Sequence, residues 1–469
     1  MNPANAATVS ATGTNAALCN QTVSDVTNVV AYRLSGGDCV VEFRNVGNVT
    51  WTSPSSLQSL QLLVVAGGGG GGARHSGGGG GGGILYVTNY KALTNNAYAI
   101  VVGDGGAGAP GLSASGGGRA GNNSSFAGSS GSSSVVANGG GGGGGGSDAA
   151  NALDNGGATN GSPIRGSGGG SNHELSSAGT ASPGTASDVA RSAGGSTATI
   201  NGVTANITAY GQAGAVGKGT SCYGPSNSYT GWCGGGGGGS SVAGASPSQP
   251  GAVNPWKAGK GGDGASISIT GTSTNYAGGG GGGSGTDITN QASNAACASN
   301  SPLAGDGGSG GGGSGGQCLS TATSGTSNTG GGGGGAGLGY VSGNGNTQGV
   351  GGKGGSGIVI LRYTPDTTTS IGALTLSGAP KKGVTLTLSV TVNTSGKVRF
   401  FMDGKRIANC LSVATTGTSP NFTATCNWKP AVTSRHTLTA TFTPNDGTFA
   451  SASPPANTLF ILRRTTTRQ

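Results

Sequence analysis

Apolar residues recur along this chain in short runs or at alternate positions, which is the pattern of β-strands. Helical periodicity is missing, so the sequence predicts almost no α-helix. Before residue 364 the clearest predicted strands are residues 39–43, 60–65, 84–87, 98–102 and 357–363, with weaker candidates at 197–210 and 265–270.

Glycine runs separate these predicted strands, and the uninterrupted ones occupy residues 67–72, 77–83, 139–146, 234–239, 278–283 and 330–335. One interpretation is a set of flexible linkers. We favour packed polyglycine II helices, which are extended rods with three residues per turn, because only glycine lets backbones come close enough to hydrogen-bond side by side. Residues 40–363 are therefore predicted to be a β-sandwich base that carries a glycine-rich rod bundle.

The composition changes after residue 363, where the glycine runs stop. Residues 364–369 are predicted to be a linker, and residues 370–462 a C-terminal Ig-like β-sandwich. Its strands are predicted from alternating apolar positions over residues 384–392, 397–402, 421–427 and 436–443. A basic tail, residues 463–469, follows. The expected fold class is all-β throughout.

The composition shows that large apolar side chains cannot fill a core along the whole length. Of 469 residues, 107 are glycine, 33% are hydrophobic and 8% are charged. The low charge differs from the usual disordered chain, which is rich in charge. Glycine in runs, and not at every third position, excludes collagen. Such a chain needs other sources of stability than a large apolar core.

Eight cysteines form four local pairs along the sequence. The predicted disulfides are Cys19–Cys39, Cys222–Cys233, Cys297–Cys318 and Cys410–Cys426. The Cys19–Cys39 disulfide would cross-link an N-terminal segment, residues 1–39. With three histidines and no CxxC motif, no metal site is expected. Four disulfides indicate an oxidising compartment, so we expect a secreted or cell-surface protein outside the cell.

The formal net charge of +9 is spread thinly, and Arg463, Arg464 and Arg468 form the one small basic cluster. Nucleic-acid binders usually concentrate basic residues on one stripe, so nucleic acid is not an expected partner. No run of 18 apolar residues occurs in the sequence, so membrane insertion is not expected either.

Residues suited to catalysis are scarce. Glu42 and Glu174 are the only glutamates, which disfavours a paired-carboxylate enzyme. Glycine motifs that formally match nucleotide-binding loops lack a following helix and result from composition. We expect neither enzymatic activity nor a cofactor. Better candidates for ligand binding are the loop aromatics, with the alternative that they only cover glycine backbone: Tyr223, Tyr229, Trp232 and Trp256.

Two resemblances rest on ordered motifs. The series at residues 50–54, 62–66, 98–103, 122–126 and 355–363 makes residues 40–363 resemble the bacterial and phage glycine-rich domain of surface and tail-fibre-like proteins. Residues 370–462 resemble a bacterial Ig-like repeat domain, through residues 398–404 and 437–442. The first resemblance implies polyglycine rods with variable loops for receptor binding. The second implies a spacer or adhesive module.

The expected function is that of a non-enzymatic bacterial adhesin-like or structural protein, secreted or at the cell surface, that presents variable loops on a polyglycine scaffold. Its partner would be a cell-surface receptor or a glycan. Self-association into filaments or surface layers is a further expectation, because unpaired backbone at rod edges invites partners. Ice binding and a phage tail-tip receptor-binding adhesin stay open as alternatives.

Overall fold

The structure is a computed structural model. It describes residues 7–9, 21–23, 27–44, 47–54, 57–93, 96–110, 116–128, 134–145, 166–171, 184–186, 189–191, 194–217, 222, 231–249, 255–286, 302–318, 320–341, 345–365, 369–418, 421–445 and 451–463. These residues are almost entirely strand and extended chain, and the helical part among them is one 3₁₀ turn, Ala408–Cys410. The all-β prediction is confirmed.

The described residues form two compact units that divide between Thr364 and Pro365. The strands of the first unit are β1 Ala7–Val9, β2 Gln21–Val23, β3 Val29–Arg33, β4 Cys39–Phe43, β5 Gly47–Thr52, β6 Leu57–Val65, β7 Ile84–Tyr90, β8 Ala97–Val102, β9 Ser124–Gly128, β10 Val135–Ala137, β11 Gly184–Ala186, β12 Val189–Arg191, β13 Gly194–Ile200, β14 Val203–Tyr210, β15 Gly231–Cys233, β16 Ala265–Ile267, β17 Thr274–Tyr276, β18 Ser284–Thr286, β19 Leu338–Val341, β20 Gly345–Gln348 and β21 Ile358–Pro365.

Two large sheets form the base of this unit. One has the strand order β1-β2-β5-β8-β9-β10-β11-β12, and the other β13-β14-β7-β6-β21-β4-β3. They meet through aromatic rings: Tyr90 of the second sheet lies 5.2 Å from Phe126 and 6.3 Å from Tyr98 of the first, between ring centroids. Trp51 packs against the same two rings and is fully buried. These rings supply apolar burial that the glycine segments lack.

The second sheet is covered on both faces. Val65, Ile84 and Ile358 pack with Ile267 and Tyr276 of the β16–β17 hairpin. Alternate residues of β6, β7 and β21 point to the opposite face, and the buried ones there include Leu62, Val64, Leu85, Val87, Val359 and Leu361. Burial on both faces explains why β6 and β21 are nearly continuous apolar runs in the sequence.

Strand pairing clarifies two sequence predictions. Strand β3, in the segment predicted to precede the glycine-rich domain, pairs with β4, so residues on either side of position 39 share one sheet. The weak strand predicted over residues 197–210 is a hairpin of β13 and β14. Its turn is Asn201-Gly202, and both residues have positive φ, as a tight two-residue hairpin turn requires.

Glycine-rich segments extend from the strands and hydrogen-bond to one another with a repeat of three. Along residues 67–72 the backbone acceptor lies first in residues 119–122, then in 352–355, then in 77–80, and the same order repeats once, at N···O distances of 2.8–3.1 Å. A chain with three residues per turn presents its N–H groups to three neighbours in this order. Each segment is therefore tied to several others through backbone alone.

The segments pack so closely that side chains do not fit between them. Gly79 donates to the carbonyl of Gly333 and accepts from the N–H of Gly280, both at 2.8 Å. A methyl group added to Gly79 would collide with the carbonyl oxygen of Gly69, and the same holds for most glycines of the runs. The α-hydrogens thus face carbonyl oxygens, an arrangement that adds weak Cα–H···O contacts.

The segments run between two ends. At the sheet end Ala66 and Gly83, next to β6 and β7, are joined by a backbone hydrogen bond of 3.0 Å. We call the opposite end the loop end, and define it by residues 73–76, 231–233, 255–257, 284–286 and 302–303. Its parts are bonded together: Gly283 donates to the Ser76 carbonyl, and the Ser284 hydroxyl donates to the Pro302 carbonyl at 2.7 Å.

The second unit holds β22 Thr375–Ser377, β23 Leu386–Val392, β24 Gly396–Met402, β25 Lys405–Arg406, β26 Val413–Ala414, β27 Thr416–Thr418, β28 Asn421–Trp428, β29 Arg435–Pro444 and β30 Asn457–Phe460. Its two sheets, β22-β23-β28-β27 and β25-β24-β29-β30, share one core that includes Leu388, Phe400, Leu438 and Phe442. The four longest strands agree with the predicted alternation. The Ig-like assignment itself stays a prediction.

We expect Gly79→Ala to lower the free energy of unfolding of the first unit by roughly 1–3 kcal/mol, because the new methyl must push apart hydrogen-bonded backbones. Scanning calorimetry would measure the shift. Gly195→Ala is the matched control: no atom lies within 4 Å of its added methyl, so the change should stay within about 0.5 kcal/mol. Equal stability of the two variants would contradict close backbone packing at Gly79.

Candidate functional site

The loop end brings an indole ring against an imidazole ring. Trp232 lies in β15, which pairs with β18 so that Trp232 is opposite Gly285. The rings of Trp232 and His75 are 4.9 Å apart between centroids and tilted by 31°. His75 is almost fully buried, so Trp232 covers it at this end of the bundle.

The turn that carries His75 is unusual for its backbone. Arg74 and His75 both have positive φ, 61° and 33°, a conformation rare outside glycine. They stand between two glycine runs, residues 67–72 and 77–83, and only four residues reverse the chain there. Backbone strain of this kind collects at sites whose surroundings fix it. The sequence analysis did not predict His75 as a site residue, although its position between two glycine runs indicates a place where the chain must turn.

A second aromatic residue packs on a disulfide at the same end. Cys222 and Cys233 are bonded, with 6.1 Å between their Cα atoms. Trp256 is half-buried against these cysteines and Ala258. Its carbonyl accepts a hydrogen bond of 2.8 Å from the N–H of Leu303, whose side chain is 40% exposed. An apolar and an aromatic side chain, those of Leu303 and Trp256, are therefore both partly exposed to solvent at the loop end.

The structure brings two of the four predicted aromatics to the loop end, Trp232 and Trp256. Tyr223 and Tyr229 lie outside the described residues, so their role stays a prediction. Trp232 covers His75 and Trp256 covers the disulfide, and both rings stay partly open to solvent. Covering and binding are thus compatible roles for these rings.

Two of the predicted disulfides are confirmed, Cys222–Cys233 and Cys410–Cys426. Cys39 and Cys318 are also disulfide-bonded. Their predicted partners, Cys19 and Cys297, lie outside the described residues, so these two pairings stay predictions. The cross-links lie in both units, which matters for a chain with few large apolar side chains.

Charged groups near the bundle form ordinary surface pairs. Lys257 lies 2.6 Å from Asp306, and both are partly exposed, so the pair contributes little stability. Asp263 accepts hydrogen bonds from Lys260 and from the backbone of Ser309, and these bonds lower its pKa. Within the described ranges, no group of three His, Cys, Asp or Glu side chains is arranged to hold a metal.

The second unit contains a serine–histidine–aspartate arrangement that the sequence analysis did not foresee. His436 Nδ1 lies 2.7 Å from Asp403 Oδ2, and His436 Nε2 lies 2.9 Å from Ser434 Oγ. In hydrolases the aspartate of such a triad is buried and orients the histidine. Here the histidine is the buried member and the aspartate is open to solvent: the Asp403 side chain is 46% exposed and that of His436 only 4%.

Asp403 also ties two strands together. It is the first residue of the Asp403-Gly404 turn between β24 and β25, and its Oδ1 accepts a hydrogen bond of 2.8 Å from the N–H of Thr437 on β29. This bond and the contact with His436 lower the pKa of Asp403. The arrangement therefore fastens a turn to a neighbouring strand.

The family model that matches the chain is that of a glycine-rich domain, over residues 44–267. The match covers slightly less than half of the chain and ends in β16, whereas the hydrogen-bonded glycine segments continue to Gly357. Over these residues the chain is similar to a glycine-rich domain. No curated protein matches the chain. No helix in the described residues has the length and apolar character needed to cross a membrane.

We expect Asp403→Asn to lower the melting temperature of the second unit at neutral pH, because the ionised carboxylate is the form that Thr437 and His436 stabilise. The folded-state pKa is depressed, so the stability is present above the unfolded value of about 3.9 and is lost as pH falls through the folded value. Calorimetry from pH 7 to 2 should show the gap between wild type and variant closing below about pH 4.

Ser434→Ala is the control for this titration, since it removes the other contact of His436 and no carboxyl group. Its effect should not change over the same acid range. A gap between wild type and Asp403→Asn that persists undiminished to the lowest pH would show that the Asp403 carboxylate is not the stabilising species.

Proposed function

We propose that this chain is an extracellular, non-enzymatic, adhesin-like protein whose first unit presents loops for binding on a bundle of polyglycine II helices. The second unit, proposed to be Ig-like, serves as a spacer or additional adhesive module. The partner would be a receptor or a glycan on a cell surface. A bacterial surface protein is favoured over a phage tip adhesin, because virions assemble in a reducing cytosol where disulfides do not form readily.

Three observations support the polyglycine II assignment. Hydrogen-bond acceptors change with a repeat of three residues along residues 67–72 and again along residues 77–83. The glycine runs, as far as the structure describes them, form no ladder of paired strands. Added methyl groups would meet carbonyl oxygens of neighbouring segments. Rods with three residues per turn, packed through backbone alone, have these properties.

The single observation that carries the binding role is the concentration of side-chain chemistry at the loop end. The uninterrupted glycine runs have no side chains of their own, so recognition at their ends falls to the residues that join them. There Trp232, Trp256 and Leu303 are partly exposed around the Cys222–Cys233 disulfide. Tryptophan is enriched at binding hot spots, and its flat face also stacks on sugar rings.

We expect Leu303→Ser to weaken retention of the purified chain on its target cells by about tenfold, as loss of an apolar contact of about 1.4 kcal/mol would. The probe is a panel of intact bacterial and animal cells together with an immobilised glycan array. Val203→Ser is the matched control, because Val203 is 42% exposed in the β13–β14 hairpin of the base.

The control variant should bind like the wild type. Equal losses of retention in both variants would indicate nonspecific hydrophobic adsorption and not a binding surface at the loop end. If the wild-type chain is retained by no cell and no glycan, the adhesin proposal fails.

The extracellular location predicts a specific redox state. Protein isolated from its own host without reductant should contain no free thiol among its eight cysteines, and peptide mapping should recover Cys19–Cys39 and Cys297–Cys318 beside the two observed disulfides. The same mapping on protein reduced after isolation is the control. Eight free thiols in the native material would place the chain in a reducing compartment and revive the phage alternative.

A further inference from the structure

A pocket of about 330 Å³, with both polar and apolar lining, lies at the sheet end of the first unit, away from the loop end. One wall comes from strands β3 and β4, and another from the β16–β17 hairpin with its Thr270–Ser273 turn. The turn at Asn328 and Thr329, between two glycine-rich segments, completes it. Its volume is at the lower end of the roughly 300–1,000 Å³ typical of small-molecule sites.

A buried carboxylate stands in the wall of this pocket. Glu42 is 5% exposed, and burial of a charged group is costly unless it is paired. The Tyr32 hydroxyl donates to its Oε1 and the Arg44 Nε to its Oε2, both at 2.9 Å. Arg44 itself is 43% exposed. The pocket thus combines a fixed acceptor with a cationic donor and has no net charge from this pair.

Hydroxyl groups and an amide form most of the remaining polar lining. Thr270, Thr272 and Thr274 lie on the hairpin, and Thr329 and Asn328 on the neighbouring turn. Hydroxyl groups both donate and accept hydrogen bonds, so they fit a ligand that does the same. Thr272 is exposed at the tip of the hairpin, where a ligand could enter.

Aromatic and apolar surface supplies the other part of the lining. Tyr276 and Ile358 are buried in the core beneath the pocket, and the Tyr32 ring packs against the same core. Burial raises the pKa of Tyr276 to about 12, so its hydroxyl keeps its proton at physiological pH. An apolar floor with a few placed polar groups is the usual composition of a small-molecule site.

We propose that this pocket binds one neutral sugar ring, either as a free monosaccharide or as the end of a glycan. A sugar carries hydroxyl groups for Glu42, Arg44 and the threonines, and an apolar C–H face for the tyrosines. Arg44 and Glu42 neutralise each other, so this pair leaves no excess charge of either sign and favours a neutral ligand over a metal cation or an anion. This site is separate from the loop end and does not depend on the adhesin proposal.

Saturation-transfer NMR on the full chain tests the site, with a panel of free hexoses, pentoses and N-acetylhexosamines as probes. We expect transfer to at least one sugar on the wild type and at least a tenfold loss in Thr272→Trp, whose ring would fill the entrance. Thr321→Trp is the matched control, because Thr321 is an exposed threonine of the same unit and does not line the pocket. It should bind sugar like the wild type.

Glu42→Gln provides a second variant, which keeps the shape of the side chain and replaces one acceptor oxygen by a donor. It should weaken sugar binding while calorimetry shows a folded first unit. Absence of transfer to every sugar on the wild type, or transfer unchanged by Thr272→Trp, overturns the proposal. Leu303→Ser should leave this binding intact, so failure of the pocket and failure of the loop-end proposal are distinguished.

Discussion

The first unit depends on hydrogen bonds between backbones that carry no side chains. In an ordinary core, apolar side chains keep neighbouring backbones apart and supply the burial energy. Here Gly79 and its neighbours exchange N–H···O bonds directly, and a single methyl group has no room. Ordering so much glycine is entropically costly, since glycine loses the most conformational freedom on folding. The rest of the unit can be understood as the means by which this cost is offset.

The base sheets and the disulfides both help to offset this entropic cost. The two base sheets bury large side chains such as Trp51 and Phe126, and they fix where the glycine segments near β6, β7 and β21 begin or end. Disulfides restrict the unfolded chain, as Cys222–Cys233 does beside the loop end. The glycine segments contribute closely packed backbone, while the residues at their ends contribute side chains. Apolar burial, backbone packing and side-chain chemistry are therefore assigned to different residues.

The local features of the fold could be predicted from the sequence, because strand alternation and glycine runs are local signals. Strands β23, β24, β28 and β29 lie where alternation placed them, and two disulfides follow the local pairing. Contacts between distant residues could not be predicted. Nothing near Trp232 in the sequence points to His75, and Asp403 meets His436 only because β24 pairs with β29. The pocket around Glu42 likewise draws on four separated stretches of chain.

The repeat of three in the rods has a consequence for how such a molecule can change over time. Inserting or deleting one residue within residues 67–72 would turn everything beyond it by about 120°, so each N–H would face the wrong neighbour. An insertion or deletion of three residues leaves each N–H directed at the same neighbouring segment and changes only the length of the rod, by about 9 Å. Rod length should therefore vary in whole turns across descendants, whereas the connections at the rod ends are free to vary in any number of residues.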